Sequence, residues 1–239
     1  MNLVLDIGNT TVRLAIFSKN QLIKNQLINT FSAEFLRNFL SNNPDIQNIC
    51  VANTSSKKDY IFDISKEFKI RYLEVNYHCN LPIFQKYETS ETLGADRLAL
   101  AVGASIKYGG ENLIIDLGTC ITYDIILGKN YLGGQISPGL KMRLCALNHY
   151  TANLPSINFR IPKGFLGKNT KDSILIGVYE GVFGEINSII EKYKVRYPNI
   201  NIILTGGDHQ IFKEKLKNIN FIDPYLLIHG LNYIIASNE

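Results

Sequence analysis

The sequence predicts an α/β fold made of two similar halves, and three observations point to it. Segments with the period of a strand alternate with segments that have the spacing of a helix. An apolar run that ends in Asp-x-Gly occurs twice, at 3–10 (LVLDIGNT) and at 114–119 (IIDLGT). The two aspartates, Asp6 and Asp116, lie 110 positions apart in a chain of 239. A repeat at about half the chain length predicts two related units, which we place at 1–108 and 109–239.

The first half is predicted to contain five strands and two helices. Alternating or continuous apolar residues mark the strands, and polar turn residues separate them. Ser32 is a suitable N-cap for the first helix, whose apolar residues recur four positions apart before Asn42-Asn43-Pro44 ends it. The second helix ends at Gly109-Gly110. In order, the elements are strands at 3–5, 12–17 and 22–23, a helix after Ser32, strands at 49–51 and 70–75, and a helix at 95–108.

The second half repeats the opening pattern. After the second Asp-x-Gly bend come a strand at 121–127, a turn at 128–130 and a strand from Tyr131. A long helix is predicted at 171–194, and a buried strand at 202–204 runs into Thr205-Gly206-Gly207-Asp208. A final helix is predicted at about 224–236.

Composition and charge exclude several classes of protein. With 25 Lys+Arg against 21 Asp+Glu, the net charge is only +4, which does not indicate a nucleic-acid partner. Hydrophobic residues make up 46%, enough for a core. We see no signal peptide and no uninterrupted apolar run of about 18 residues, so no membrane partner is expected. The four cysteines, at 50, 79, 120 and 145, form no CxxC, which favours a reducing cytoplasm.

The Asp-x-Gly bends have the residue types that bind phosphate. Glycine lets a ligand approach the backbone, and free N–H groups and threonine hydroxyls donate to phosphate oxygens. The carboxylate can hold a hydrated Mg²⁺ or another cation. A single Asp-x-Gly bend would be interpreted as an ordinary turn. Two such bends, each between similar strands, favour a site that binds a polyphosphate from both sides. The Gly206-Gly207 turn offers backbone against which an adenosine could lie.

A second dense cluster lies at 87–97 (YETSETLGADR), just before the predicted helix. Asp96 could be a simple helix cap and Arg97 a solvated first-turn residue. Alternatively, Asp96 accepts a proton from a substrate hydroxyl and Arg97 binds a substrate carboxylate. The residues alone leave both interpretations open.

Taken together, these motifs resemble the type III pantothenate kinases, a family of the acetate and sugar kinase, heat-shock-cognate chaperone and actin superfamily. The motifs are DIGNT at 6–10, YxxxxxLGADR at 87–97, DLGT at 116–119, GGQISPG at 133–139 and TANLP at 151–155. The resemblance implies two ribonuclease-H-like (actin-like ATPase) halves, each a mixed sheet flanked by helices. It also implies ATP-dependent phosphorylation of pantothenate to 4'-phosphopantothenate, the first step of coenzyme A biosynthesis.

The resemblance also implies roles for individual residues and a homodimer. Asp96 is expected to be the catalytic base, Asp116 a ligand of a monovalent cation (K⁺ or NH₄⁺), and Asp6 a ligand of Mg²⁺. The implied nucleotide contacts are Asp6, Ile7, Gly8, Asn9, Thr10, Thr11, Val12, Arg13 and Thr119. The implied pantothenate contacts are Tyr87, Gly94, Ala95, Asp96, Arg97 and Thr170. Two positions depart from the family pattern: Ser90 stands where proline is common, and Cys120 where alanine is usual.

Two other functions fit parts of the sequence. A non-catalytic nucleotide-binding regulatory protein on the same fold would be expected to lose the acidic and basic residues at 6, 96, 97 and 116, which are all present. A kinase of the same superfamily acting on a sugar or small acid would fit the Asp-x-Gly bends. The GADR segment and the short chain favour the pantothenate kinase over it.

Overall fold

The computed structural model describes residues 1–8, 11–55 and 59–238. The strands are β1 (Asn2–Ile7), β2 (Val12–Ser18), β3 (Gln21–Ile28), β4 (Asn48–Asn53), β5 (Arg71–Glu74), β6 (Phe84–Gln85), β7 (Glu111–Leu117), β8 (Cys120–Leu127), β9 (Asn130–Pro138), β10 (Asn201–Thr205) and β11 (Phe221–Ile222). The helices are α1 (Ala33–Ser41), α2 (Tyr60–Glu67), α3 (Ala95–Lys107), α4 (Leu140–His149), α5 (Thr170–Arg196), α6 (His209–Phe212) and α7 (Leu226–Ala236).

The two sheets repeat one strand order, which confirms the predicted α/β fold of two similar halves. The first sheet has the order β3-β2-β1-β4-β5, and the second contains β9-β8-β7-β10-β11 with β6 added beside β9. In the first sheet, β1 pairs antiparallel with β2 and parallel with β4. In the second, β7 pairs parallel with β10. Asp6 and Asp116 therefore occupy equivalent places, near the ends of β1 and β7.

The first compact unit comprises 1–109, 126–132 and 225–239. Its sheet carries α1 and α2 over a core that includes Leu5, Leu14, Leu36 and Ile64. The predicted cap of α1 is confirmed, since the Ser32 hydroxyl accepts a hydrogen bond from the Phe35 N–H at 3.1 Å.

Helices α3 and α7 pack closely within the first unit because glycine allows their backbones to touch. A Cβ at Gly230 would lie 1.8 Å from the Ala99 carbonyl oxygen, and one at Gly103 would lie 2.6 Å from the Leu226 carbonyl oxygen. Nine residues of α3 are buried, as befits a helix enclosed on several sides. The position of α3 therefore depends on α7, which comes more than a hundred residues later. The predicted boundary between 108 and 109 assigns α7 to the second half of the chain. In the structure, the residues of α7 belong to the first compact unit.

The second compact unit comprises 110–125 and 133–224, and α5 is its longest helix. By length and composition alone, α5 could cross a membrane, but half of its most apolar 18-residue stretch is buried inside the fold. Its buried face includes Leu175, Val182, Ile186 and Ile190. The expectation that no membrane is involved stays a prediction.

Candidate functional site

Asp6 lies near the end of β1, opposite Arg13 of β2 in the strand pairing. The pKa of the Asp6 carboxyl is raised to about 7, first by burial and then by the nearby charge of Asp96, against the opposing effect of Arg13. Two acids and one guanidinium therefore interact electrostatically at this point of the first unit. The Arg13 guanidinium carbon also lies 6.0 Å from the centre of the Tyr225 ring.

Strand β1 ends at Ile7, the residue after Asp6. The Gly8 N–H donates to the Thr11 carbonyl oxygen at 3.1 Å, which holds the residue after β1 close to the residue before β2. Ile7 and Val12 are buried in the core, so neither side chain is available to a ligand. The predicted contacts Asn9 and Thr10 lie outside the described residues.

Asp96 lies in the first turn of α3, and its position depends on Gly94. A Cβ at Gly94 would lie 2.3 Å from Asp96 Oδ1, so a larger residue would displace the carboxylate. Gly94 itself occupies the N-cap position of this helix. Asp96 is the second helical residue, and its Oδ1 accepts the first-turn N–H of Arg97 at 2.8 Å. Asp96 is therefore not the N-cap residue, although its carboxylate does satisfy a first-turn N–H.

Arg97 is buried, with 5% of its surface exposed, so the interpretation of it as a solvated residue is also wrong. Its guanidinium carbon lies 5.5 Å from the centre of the Tyr87 ring, within cation–π range. The Tyr87 ring is in turn 6.4 Å from that of Tyr131, which is fully buried. The contact with the Tyr87 ring restrains the orientation of the buried guanidinium. Ala95, the remaining residue of the motif, is buried.

The loop that carries Tyr87 is tied by two side chains. The Ser90 hydroxyl donates to Gln85 Oε1 at 3.1 Å, and Gln85 Nε2 donates to the Tyr87 carbonyl oxygen at 3.1 Å. Gln85 belongs to β6, which pairs with the start of β9. These hydrogen bonds restrain the loop at the position where the family pattern has proline.

In the second unit, Asp116 near the end of β7 lies against the Gly206 turn. Gly206 has φ of +89°, and a Cβ there would lie 2.3 Å from Asp116 Oδ1 and 2.4 Å from the Leu117 N. The Asp208 N–H also donates to the Leu117 carbonyl oxygen at 2.9 Å, and burial raises the pKa of the Asp208 carboxyl. The second bend and the Gly-Gly turn, recognised separately in the sequence, thus form one structural group.

The bend after Asp116 exposes Thr119. The Gly118 N–H donates to the Cys120 carbonyl oxygen at 3.0 Å, and the Gly139 N–H donates to the Thr119 carbonyl oxygen at 3.1 Å. A Cβ at Gly139 would lie 2.2 Å from the Gly118 oxygen. Thr119 therefore stands on a short loop held from behind by the GGQISPG segment.

Thr170 is the first residue of α5 and is exposed. It lines a groove of about 780 Å³ between α4 and α5, together with Arg143, Tyr150 and Thr151. The site residues thus fall into two sets. Asp6, Arg13, Tyr87 and residues 94–97 belong to the first unit, and Asp116, Thr119 and Thr170 belong to the second.

Sequence reasoning missed a charged cluster behind the Thr119 loop. Glu185 of α5 accepts hydrogen bonds from the Tyr123 hydroxyl at 2.8 Å and the Ser137 hydroxyl at 3.1 Å, and it forms an ion pair with Arg143. Only the GGQISPG motif pointed towards this region, and it says nothing about α5. The three partners of Glu185 lie on three separate elements, β8, β9 and α4, so no local spacing reveals them.

Comparisons with known proteins agree on one family. A sequence model described as type III pantothenate kinase matches residues 2–192. The type III pantothenate kinase of Christiangramia forsetii is 39% identical over 243 residues, which span all of this chain and 99% of that protein. The type III pantothenate kinase of Bacteroides fragilis strain YCH46 is 37% identical over 247 residues, with the same coverage.

Solved structures show the same fold at lower identity. A glucokinase from an Antarctic psychrotroph aligns with a TM-score of 0.54 and 14% identity, covering 100% of this chain and 99% of its own. A Campylobacter jejuni protein, named as a candidate Baf family transcriptional activator, aligns with a TM-score of 0.62 and 23% identity, covering 99% and 98%. The likeness to sugar kinases confirms the predicted actin-like ATPase architecture. Given the family match over 2–192 and full-length relatives at 39% and 37% identity, the chain belongs to the type III pantothenate kinase family.

Proposed function

We propose that the chain transfers the γ-phosphoryl group of ATP to the terminal hydroxyl of pantothenate, with Asp96 as general base. The products are 4'-phosphopantothenate and ADP, and the reaction is the first step of coenzyme A biosynthesis. The observation that carries the proposal is the carboxylate of Asp96, which accepts the backbone N–H of the buried Arg97 and for which Gly94 leaves room. Membership of the family supports the reaction, and the geometry is compatible with the roles proposed for these residues.

Asp96 accepts the proton of the pantothenate hydroxyl while the hydroxyl oxygen attacks the γ-phosphorus. The new oxygen–phosphorus bond forms while the bond to the β-phosphate oxygen breaks, and ADP leaves with that electron pair. Phosphoryl transfer depends mainly on positioning and on neutralising charge. The short hydrogen bond from the Arg97 N–H to Asp96 Oδ1 restrains the carboxylate rotamer and so holds the base in place.

Arg97 binds the carboxylate end of pantothenate. A guanidinium can donate two parallel hydrogen bonds to a carboxylate, and the Tyr87 ring restrains its plane. Because Asp96 and Arg97 are consecutive on α3, one rigid element holds the groups for both ends of the substrate. This arrangement favours a kinase that selects substrates of one length over a general kinase for small acids or sugars.

The remaining residues bind the nucleotide and its cations. The backbone from Asp6 to Arg13 and the Thr119 hydroxyl would donate to phosphate oxygens. Asp6 would hold Mg²⁺ and Asp116 a monovalent cation, K⁺ or NH₄⁺, and these ions would neutralise triphosphate charge. The fit is supported by oxygen donors at equivalent strand ends and by the space beside Asp116, which a side chain at Gly206 would fill.

We also propose a cytoplasmic homodimer with Thr170 contacting pantothenate. The resemblance of the TANLP segment and of Thr170 to the family pattern supports this assignment. Light scattering coupled to size-exclusion chromatography measures the subunit number, and Thr170→Ala should raise the KM for pantothenate without changing the KM for ATP. A monomer that is fully active would refute the dimer.

The deciding experiment measures ADP release from purified protein with ATP, Mg²⁺ and pantothenate, first with K⁺ and then with Na⁺. We expect turnover that requires both pantothenate and K⁺. Turnover without a K⁺ requirement would keep the kinase and remove the cation role of Asp116. Absence of turnover in a folded protein that binds ATP would instead favour the non-catalytic regulatory protein.

Asp96→Asn tests the general base directly. The substitution keeps the size of the side chain and removes its ability to accept a proton, so turnover should be abolished while ATP still binds. Near-normal turnover by this variant would refute the role of Asp96.

A further inference from the structure

We propose that Glu185 is a positioning residue that holds the nucleotide-phosphate loop at Thr119 in its productive geometry. The inference rests on the proposed kinase function, which assigns Thr119 to the nucleotide. Glu185 lies in the middle of α5, away from both Asp-x-Gly bends in the sequence. It acts through the segment behind the loop and makes no contact with substrate itself.

The Glu185 carboxylate joins three elements of the second unit. Its Oε1 accepts the Tyr123 hydroxyl of β8 at 2.8 Å, and its Oε2 accepts the Ser137 hydroxyl of β9 at 3.1 Å. Oε2 also pairs with Arg143 of α4. Tyr123 is fully buried, so its hydroxyl needs this partner inside the fold.

The same cluster fixes the junction between β9 and α4. The Arg143 guanidinium donates through Nε to the Pro138 carbonyl oxygen and through Nη2 to the Ser137 hydroxyl, both at 2.8 Å. Gly139 follows immediately and is the residue whose N–H holds the Thr119 carbonyl oxygen. The Arg143 N–H closes the first turn of α4 on the Gly139 carbonyl oxygen at 3.0 Å. Restraining Arg143 and Ser137 therefore restrains Gly139, and through it the loop.

The contact between Gly139 and the loop transmits small displacements. A Cβ at Gly139 would lie 2.2 Å from the Gly118 oxygen and 2.6 Å from the Thr119 oxygen, so the two backbones touch with no spare room. A shift of the junction must consequently move the loop or break its hydrogen bond. Phosphoryl transfer is sensitive to such shifts, since catalytic geometry tolerates only a fraction of an ångström.

The charge state of Glu185 suits this role. Burial alone would raise its pKa, but hydrogen bonds from Arg143, Tyr123 and Ser137 outweigh that effect and hold the pKa below its ordinary value. Glu185 is therefore ionised at neutral pH and can accept all three donors at once. An amide in its place would present an N–H group to donors and would satisfy fewer of them.

The test compares Glu185→Ala with Glu180→Ala in steady-state kinetics and in direct nucleotide binding. Glu180 is the matched control because it lies on the same helix and forms an ion pair with Lys215 at 2.6 Å, away from the cluster. We expect Glu185→Ala to raise the KM and the Kd for ATP about tenfold. The KM for pantothenate should rise less, by about threefold at most, because Arg143, the ion-pair partner of Glu185, also lines the groove at Thr170. Glu185→Gln should show an intermediate rise, and Glu180→Ala none.

A purely structural role would lower the melting temperature and the active fraction without this selective change in ATP affinity. Unchanged ATP affinity in a folded Glu185→Ala protein would overturn the proposal. If that variant does not fold, Tyr123→Phe decides, because it removes one donor and keeps the buried ring. We expect a rise of about threefold in the Kd for ATP, and no rise would overturn the proposal. Because binding is measured separately, the result stands even if the unaltered protein does not phosphorylate pantothenate.

Discussion

Replacing Asp6 by asparagine should make the protein more stable and inactive. The pKa of the Asp6 carboxyl is raised from 3.8 to about 7 in the fold by burial and by the charge of Asp96. The folded state therefore holds a proton that the unfolded chain releases, and stability falls as the pH rises from about 4 to 7. The asparagine side chain does not ionise in this pH range, so the stability of the variant does not fall in this way.

The size of the effect follows from the shift. About three pKa units at 1.36 kcal/mol each give an upper bound of about 4 kcal/mol above pH 7. Part of this loss of stability has already occurred at pH 5. The difference in free energy of unfolding between Asp6→Asn and the unaltered protein should therefore grow by about 2.5 kcal/mol between pH 5 and pH 8. Phosphoryl transfer should be lost, because the variant lacks the proposed Mg²⁺ ligand.

Urea unfolding of both proteins at pH 5 and pH 8, without nucleotide or Mg²⁺, measures this difference. Asp63→Asn on α2 is the control, because Asp63 is exposed and belongs to the same compact unit. An advantage of equal size at both pH values, or a less stable variant at pH 8, would refute the reasoning. Ionisation of the buried Asp6 carboxyl would then not lower the free energy of unfolding.

Three further substitutions test other contacts. Gly94→Ala should lower kcat about 100-fold, because the new Cβ would lie 2.3 Å from Asp96 Oδ1, and circular dichroism should show the fold intact. Tyr87→Leu should raise the KM for pantothenate about tenfold and leave the KM for ATP unchanged, because Arg97 loses the ring that restrains it. Gly230→Ala should lower the free energy of unfolding by about 3 kcal/mol in urea titrations, because its Cβ would overlap the backbone of α3.

The longer strands and the long helices were predictable because their signals are local. Apolar runs that end in Asp-x-Gly, the cap at Ser32 and the stop at Gly109-Gly110 depend only on neighbouring residues. Helices α2, α4 and α6 and the two-residue strands β6 and β11 were not predicted. Only Leu140 and Leu144 of α4 are buried, and α2 is eight residues long, so neither gives a clear helical period.

The site was predictable as a set of residues and unpredictable in its contacts. Arg97 lies within cation–π range of Tyr87, whose loop is tied by Gln85 and Ser90. No spacing in the sequence encodes that contact. Likewise, Glu185 lies in no motif, because its partners come from segments up to 62 positions away.

The order of segments along the chain has a consequence for synthesis. The whole of the second compact unit lies between the first and last segments of the first unit, and α3 packs on α7 only after the residues at 225–239 have been made. During translation, α3 therefore leaves the ribosome with the face that packs on α7 exposed. That face stays exposed while more than a hundred further residues are added. The unit that carries Asp6 and Asp96 is completed last, although its first strand is made first. A nascent chain paused before Leu226 should accordingly be sensitive to protease and bind chaperones along α3.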